Sequence, residues 1–169
     1  MSERIETTAI RNLIHNEEYC RKVLPFIKEE YFTDRLEKLI FTEIYGFVNK
    51  YNNLPTKESL SIEMNTNKGV SEGEYKKMNE IISSLNPEPI NLDWLVETTE
   101  IWCKDRAIHN AILGGIQILD GKDKDHTPEY LPELLSEALS VSFDQKVGHD
   151  YLLESKERYE YYNRKEERL

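Results

Sequence analysis

Four histidines, two cysteines and 32 carboxylates are the groups with which this chain of 169 residues can ligate a metal or move protons. Their spacing favours neither. His15, His109, His126 and His149 form no HExxH pair, and His109 stands six residues from Cys103, which is not one face of a helix. Each histidine is read as a surface or satisfied structural residue. Cys20 and Cys103 form no CxxC pair, so neither a zinc knuckle nor a disulfide framework is indicated. Adjacent acids such as Glu17-Glu18, Glu29-Glu30 and Glu166-Glu167 diverge by about 100° on a helix and read as solvated faces.

Phosphate chemistry fares no better. A P-loop needs glycines in the order GxxxxGK[ST], so that backbone N–H groups wrap the phosphates ahead of a Lys and a hydroxyl. Gly115, Gly121 and Lys122 come near this pattern, but the glycines are one residue too far apart and Asp123 stands where the hydroxyl should be. Gly114-Gly115 reads instead as a place where a second helix approaches closely or the helix bends, and Gly121 as a left-handed helix end. No nucleophile elbow is present.

Basic residues gather at Arg21-Lys22, Lys76-Lys77 and Arg164-Lys165, the last among tyrosines, a mixture that can serve single-stranded nucleic acid. From Glu154 to Leu169, however, five cations meet five acids, so that segment reads as a helix docking on protein. The whole chain carries 22 Lys plus Arg against 32 Asp plus Glu, a formal charge of −10, which opposes any long track of phosphates. Trp94 and Trp102, with Tyr45, Tyr51 and Tyr75, sit on apolar stripes and read as core or interface packing, not as a ligand cage.

The elements that must position these residues are helical. With 38% hydrophobic residues the chain fills one core, and seven Gly and six Pro are too few for the many turns of a sandwich or barrel. The apolar run Ala111 to Leu119 is shorter than the roughly 20 residues a bilayer needs, so a membrane partner is not expected. Two short helices are predicted over Glu6 to Phe26, the second capped by Asn16. Asp34 caps a strong helix carrying Leu36, Ile40, Ile44, Phe47, Val48 and Tyr51. Thr56 restarts a short helix through about Met64, and Ser71 with Glu74 forms a capping box for the next, which Asn86-Pro87-Glu88-Pro89 stops. Asn91 then opens a rod to about Asp120, some 43 Å long.

Along its second half Ile108, Ile112, Leu113, Ile116, Ile118 and Leu119 cannot all face one neighbour. Ile108, Ile112, Ile116 and Leu119 are therefore the candidates for self-association. Thr127-Pro128 starts a returning helix to about Val141, and Asp150 caps a final helix with Leu152, Tyr159, Tyr162 and Leu169 on one side. Burying those four contributes on the order of 6 to 10 kcal/mol gross, so they are candidates for docking that helix on a partner. The fold class expected is all-α: a compact helical bundle over 1–90, a long helical hairpin over 91–142, and a junction with a linker helix over 143–169.

The order of these segments resembles the N-terminal domain of DnaB-type hexameric replicative helicases, particularly the branch found in large tailed phages. The stretches VLPFIKEEYF, LEKLIFTEIYGFVNKYNNLPT, EYKKMNEIISSL and DWLVETTEIWCKDRAIHNAI follow one another as that family's helices do, with its aspartate-arginine step at Asp105-Arg106. The stretch ALSVSFDQKVGHDYLLESKERYEYYNRKEERL is similar to the passage from collar to linker helix ahead of the motor domain. The resemblance implies a collar built from paired hairpins, homo-oligomeric contacts within a hexameric ring, primase and a helicase loader as partners, and single-stranded DNA passing through the complete ring. It implies duplex unwinding in the cytoplasm of an infected host, with ATP and magnesium held only by a motor domain this chain does not contain. No catalytic, cofactor or metal residue is carried over. Two other readings are a free-standing all-α adaptor or helicase loader, and a small enzyme whose acidic site assembles only in space.

Overall fold

A computed structural model describes residues 4–143. Among them the chain is all-α, with helices α1 (Ile5–His15), α2 (Glu17–Val23), α3 (Arg35–Tyr51), α4 (Lys57–Asn65), α5 (Glu72–Ser84), α6 (Leu92–Leu119) and α7 (Leu131–Leu139). It forms the expected bundle followed by a hairpin. The helix starts are set by short side chains that accept otherwise orphaned N–H groups. Asn16 accepts from Tyr19, Asp34 from Leu36 and Glu37, and Asn91 from Trp94. Thr56 with Ser59 and Ser71 with Glu74 close reciprocal capping boxes. Asn52 ends α3 in the left-handed conformation, which Asn tolerates better than most residues.

The bundle core joins Ile10 and Leu13 of α1, Tyr19 and Val23 of α2, Ile40, Phe41 and Ile44 of α3, Leu60 and Met64 of α4, and Met78 and Ile82 of α5. The first half of α6 belongs to it through Leu95, Trp102 and Cys103. Trp102 packs edge-on to Phe32 and Tyr31, with ring centroids 5.0 and 6.2 Å apart. Tyr19 and Glu37 carry polar groups into this core and find partners there. Tyr19 donates its hydroxyl hydrogen to Thr99 Oγ1 at 2.7 Å, because Thr99 spends its own on the Leu95 carbonyl. Glu37, 5% exposed, is held by the Arg4 guanidinium and by the Thr7 hydroxyl at 2.8 Å.

The end of α6 is closed by backbone groups, and Asp123 Oδ1 then accepts from the Asp125 and His126 N–H groups in the turn. Gly121 takes φ +74°, its N–H reaches the Ile118 carbonyl and the Lys122 N–H the Gln117 carbonyl, the paired bonds of a Schellman motif. The returning helix differs from expectation at its start. Pro128–Tyr130 forms a 3-10 turn and α-helix begins only at Leu131, because Pro132 has no N–H to give the Pro128 carbonyl, which accepts from Leu131 instead. The Thr127 side chain caps no backbone N–H; it hydrogen-bonds the Glu129 carboxylate, which it holds below the usual range.

Where α6 and α7 meet, a Cβ placed on Gly115 would lie 3.1 Å from Leu131 Cδ2, and one on Gly114 3.7 Å from Leu134 Cδ2. Gly115 thus permits the close approach, while Gly114 sits at ordinary contact distance. Gly114→Ala is expected to raise stability by up to about 1 kcal/mol through helix propensity alone. Gly115→Leu is expected to lower it by about 1 to 3 kcal/mol by overpacking, both read by urea denaturation. Asp34→Ala should cost about 1 kcal/mol in the same measurement, since two N–H groups of α3 lose their acceptor.

Candidate self-association surface

The 28 residues of α6 make a rod of about 42 Å whose circumference is shared among three surroundings. At about 100° per residue, Leu95, Thr99, Trp102 and Cys103 turn toward the bundle and are buried there. Ala111, Gly115 and Ile118 occupy the next sector, facing α7, and are buried as well. The third sector carries Trp94, Ile101, Ile108, Ile112, Ile116 and Leu119, and no element among the described residues covers it fully. Ile112, Ile116 and Leu119 are 51%, 47% and 64% exposed, while Ile108 is half-buried.

The side chains of α7 extend this surface. Leu131 and Leu134 meet the glycines of α6, and Leu134 and Glu137 turn toward Tyr31. That rotation leaves Leu135 and Leu139 on the side of the hairpin away from the bundle, alongside the α6 stripe, where both are exposed. Trp94 and Ile101, also exposed, continue the stripe toward the start of α6, interrupted by the exposed Asp105. The exposed Leu113 points about 100° away from Ile112, past the end of the bundle.

Of the residues singled out in the sequence, Ile112, Ile116 and Leu119 thus share one exposed face and Ile108 borders it. Leu152, Tyr159, Tyr162 and Leu169, with the final helix and Arg164-Lys165, lie outside the described residues. Periodicity had not singled out Ile101, Leu135 and Leu139; the signal was present for Ile101, which lies one heptad from Trp94 and from Ile108. The Asp105-Arg106 step has a structural task. Arg106 Nε donates to the Tyr31 carbonyl at 2.8 Å, and Asn110, one turn on, donates to the Glu30 carbonyl at 3.0 Å, so α6 is pinned to the 3-10 turn Glu29–Tyr31.

The groups considered for chemistry are dispersed. His15 Nε2 donates to the Leu85 carbonyl at 2.6 Å, joining the ends of α1 and α5. His126 lies 3.0 Å from Asp123 and stacks on Tyr130 at the hairpin tip, and this contact helps hold the Asp123 carboxyl below its usual range. Burial pushes the Cys20 thiol up to about 11 and raises that of Cys103 as well. Neither is poised as a nucleophile at neutral pH. A cleft of about 420 Å³ between α2 and α3 has Leu24, Pro25, Val48 and Leu54 along its walls. Its charged groups are Lys22 and a Glu17–Arg21 pair 3.6 Å apart on one helix face, an arrangement suited to an apolar guest and not to proton transfer. Among the described residues no group of three or more His, Cys, Asp or Glu is placed to hold a metal, and no helix is long and apolar enough to cross a membrane.

No established family profile matches the chain. A DnaB-like replicative helicase of Enterobacteria phage T4 is 32% identical to it over 151 residues, which cover 85% of this chain and 32% of that protein. The chain therefore spans about a third of the length of the relative it matches. In its all-α bundle with a hairpin, and in sequence identity running through most of its length, this chain is similar to a DnaB-like replicative helicase.

Proposed function

We propose that the chain is the N-terminal oligomerisation and partner-docking domain of a phage replicative helicase, and that copies associate through the outward face of the hairpin. The observation that carries this is the clustering of Ile112, Ile116, Leu119, Leu135 and Leu139 on the side away from the bundle. Magnitudes favour a second copy over an unrelated flat surface. Covering a half-exposed Leu or Ile contributes about 1 kcal/mol. Five from one partner fall near the lower bound of the roughly 4 to 15 kcal/mol that association costs, whereas ten from two matching faces exceed it. A two-fold pairing supplies such a match, because each copy presents the same patch.

Ring assembly into a hexamer, docking of primase and a loader, passage of single-stranded DNA, and ATP- and magnesium-dependent unwinding belong to the complete protein on this reading, at work in the cytoplasm of an infected cell. The similarity to a replicative helicase supports them. In this division of labour the bundle carries the hairpin, the hairpin pairs copies, and Leu152, Tyr159, Tyr162 and Leu169 dock a linker helix on a neighbouring subunit.

Light scattering of the 169-residue chain across a concentration series is expected to show self-association. Ile112→Glu and Leu119→Glu are each expected to weaken it at least a hundredfold, because an unpaired carboxylate taken into an interface costs several kcal/mol. A chain that stays monomeric at the highest concentration, or associates unchanged in both variants, removes the hairpin as the interface. Stoichiometric binding of that monomer to a separate helicase would favour the adaptor or loader reading instead.

A further inference from the structure

The hairpin does not end freely at α7. Ser140 closes the helix with its N–H on the Ser136 and Glu137 carbonyls and its hydroxyl on the latter at 2.7 Å. The next residues turn back onto the bundle. Ser142 Oγ donates to Glu100 Oε2 at 3.0 Å, and the Phe143 N–H donates to the same oxygen at 2.7 Å. The Phe143 ring stacks on Phe26, centroids 4.9 Å apart and planes inclined by 27°, and Val141 and Phe143 both pack against the bundle core.

These ties matter because α7 is short and rests mainly on one neighbour, α6. Nine residues are fewer than the roughly 12 to 15 at which an isolated helix becomes marginal. Ala138 is its one buried residue. At its start the seat on α6 is the contact of Leu131 and Leu134 with Gly115 and Gly114, toward its end Glu137 and Ala138 lie beside Tyr31 and Ala107, and just past it comes the junction with Glu100 and Phe26.

We propose that Glu100, Phe26 and Phe143 form a clasp that keeps α7 seated on α6, and that opening this clasp unseats the helix and uncovers Ala111, Gly115 and Ile118. The Glu100 carboxylate is the fixed half, standing on α6 itself, and consecutive residues of the strap supply both donors. Bonds to an ionised acceptor are roughly twice as strong as neutral ones, so a single side chain governs the junction. Anything that grips the chain beyond Phe143 then acts on α7 through this point. The clasp goes beyond the pairing of copies and holds whether or not the outward face self-associates.

Amide hydrogen exchange of the 169-residue chain tests it. The Phe143 amide is expected to be protected in the native protein. In Glu100→Ala it should exchange about tenfold faster or more, as befits loss of a bond to a charged acceptor. The amides of Leu135 to Ala138 should accelerate with it, while those of Leu13 and Ile44 in the bundle stay unchanged. Glu100→Gln, which keeps a carbonyl acceptor, should fall between. Phe143→Leu removes the stack from the strap's side, so the test survives any loosening of the bundle by Phe26→Ala. An unprotected Phe143 amide in the native chain overturns the proposal. So does a variant set in which Phe143 is released while the amides of α7 keep their native protection.

Discussion

A helix of 28 residues has more circumference than a bundle of this size can cover, and the rest of the architecture follows from that mismatch. Burial of one sector by Leu95, Thr99, Trp102 and Cys103 fixes the rotation of α6 about its axis. The sector that receives α7 and the sector left outward are then determined. Arg106 and Asn110 lock this rotation with bonds to carbonyls of a neighbouring 3-10 turn, which could not form if the helix turned by one residue. The outward stripe is therefore a consequence of how the helix is held elsewhere, and its apolar composition is what calls for a partner.

Much of this was legible from the order of residues because helix starts are local events. Asn16, Asp34, Thr56, Ser71 and Asn91 each act on an N–H two or three positions ahead, so the boundaries they set are written in adjacent sequence. The later start of α7 was legible in principle too, from Pro132. Sidedness was not. Periodicity groups Trp94 with the apolar stripe but cannot say which neighbour a stripe meets, and Trp94 stands outward while Trp102 is buried. The burial of Glu37 depends on Arg4 and Thr7, some thirty residues away, so no local pattern announces it. The clasp joins Glu100 to residues more than forty positions later, and is hidden for the same reason.

The likeness to a replicative helicase and the physical reading converge from different directions. Identity of 32% along most of the chain reports shared ancestry of the fold. The exposed face follows from the burial of each side chain, whatever the ancestry. The acidic balance of −10 fits the proposed pairing of copies, since such a role needs no cationic track of the kind nucleic acid demands.

The two thiols have a practical corollary. Cys20, at the floor of the cleft between α2 and α3, and Cys103 are both buried, and burial raises both thiols, which favours the protonated form that reacts slowly with maleimides or in disulfide exchange. A single cysteine introduced on the hairpin would be the most reactive thiol among the described residues. Covalent trapping or fluorophore attachment can therefore map the geometry between copies on an otherwise native background, with no need first to strip out the natural sulfur atoms and disturb the core they help fill.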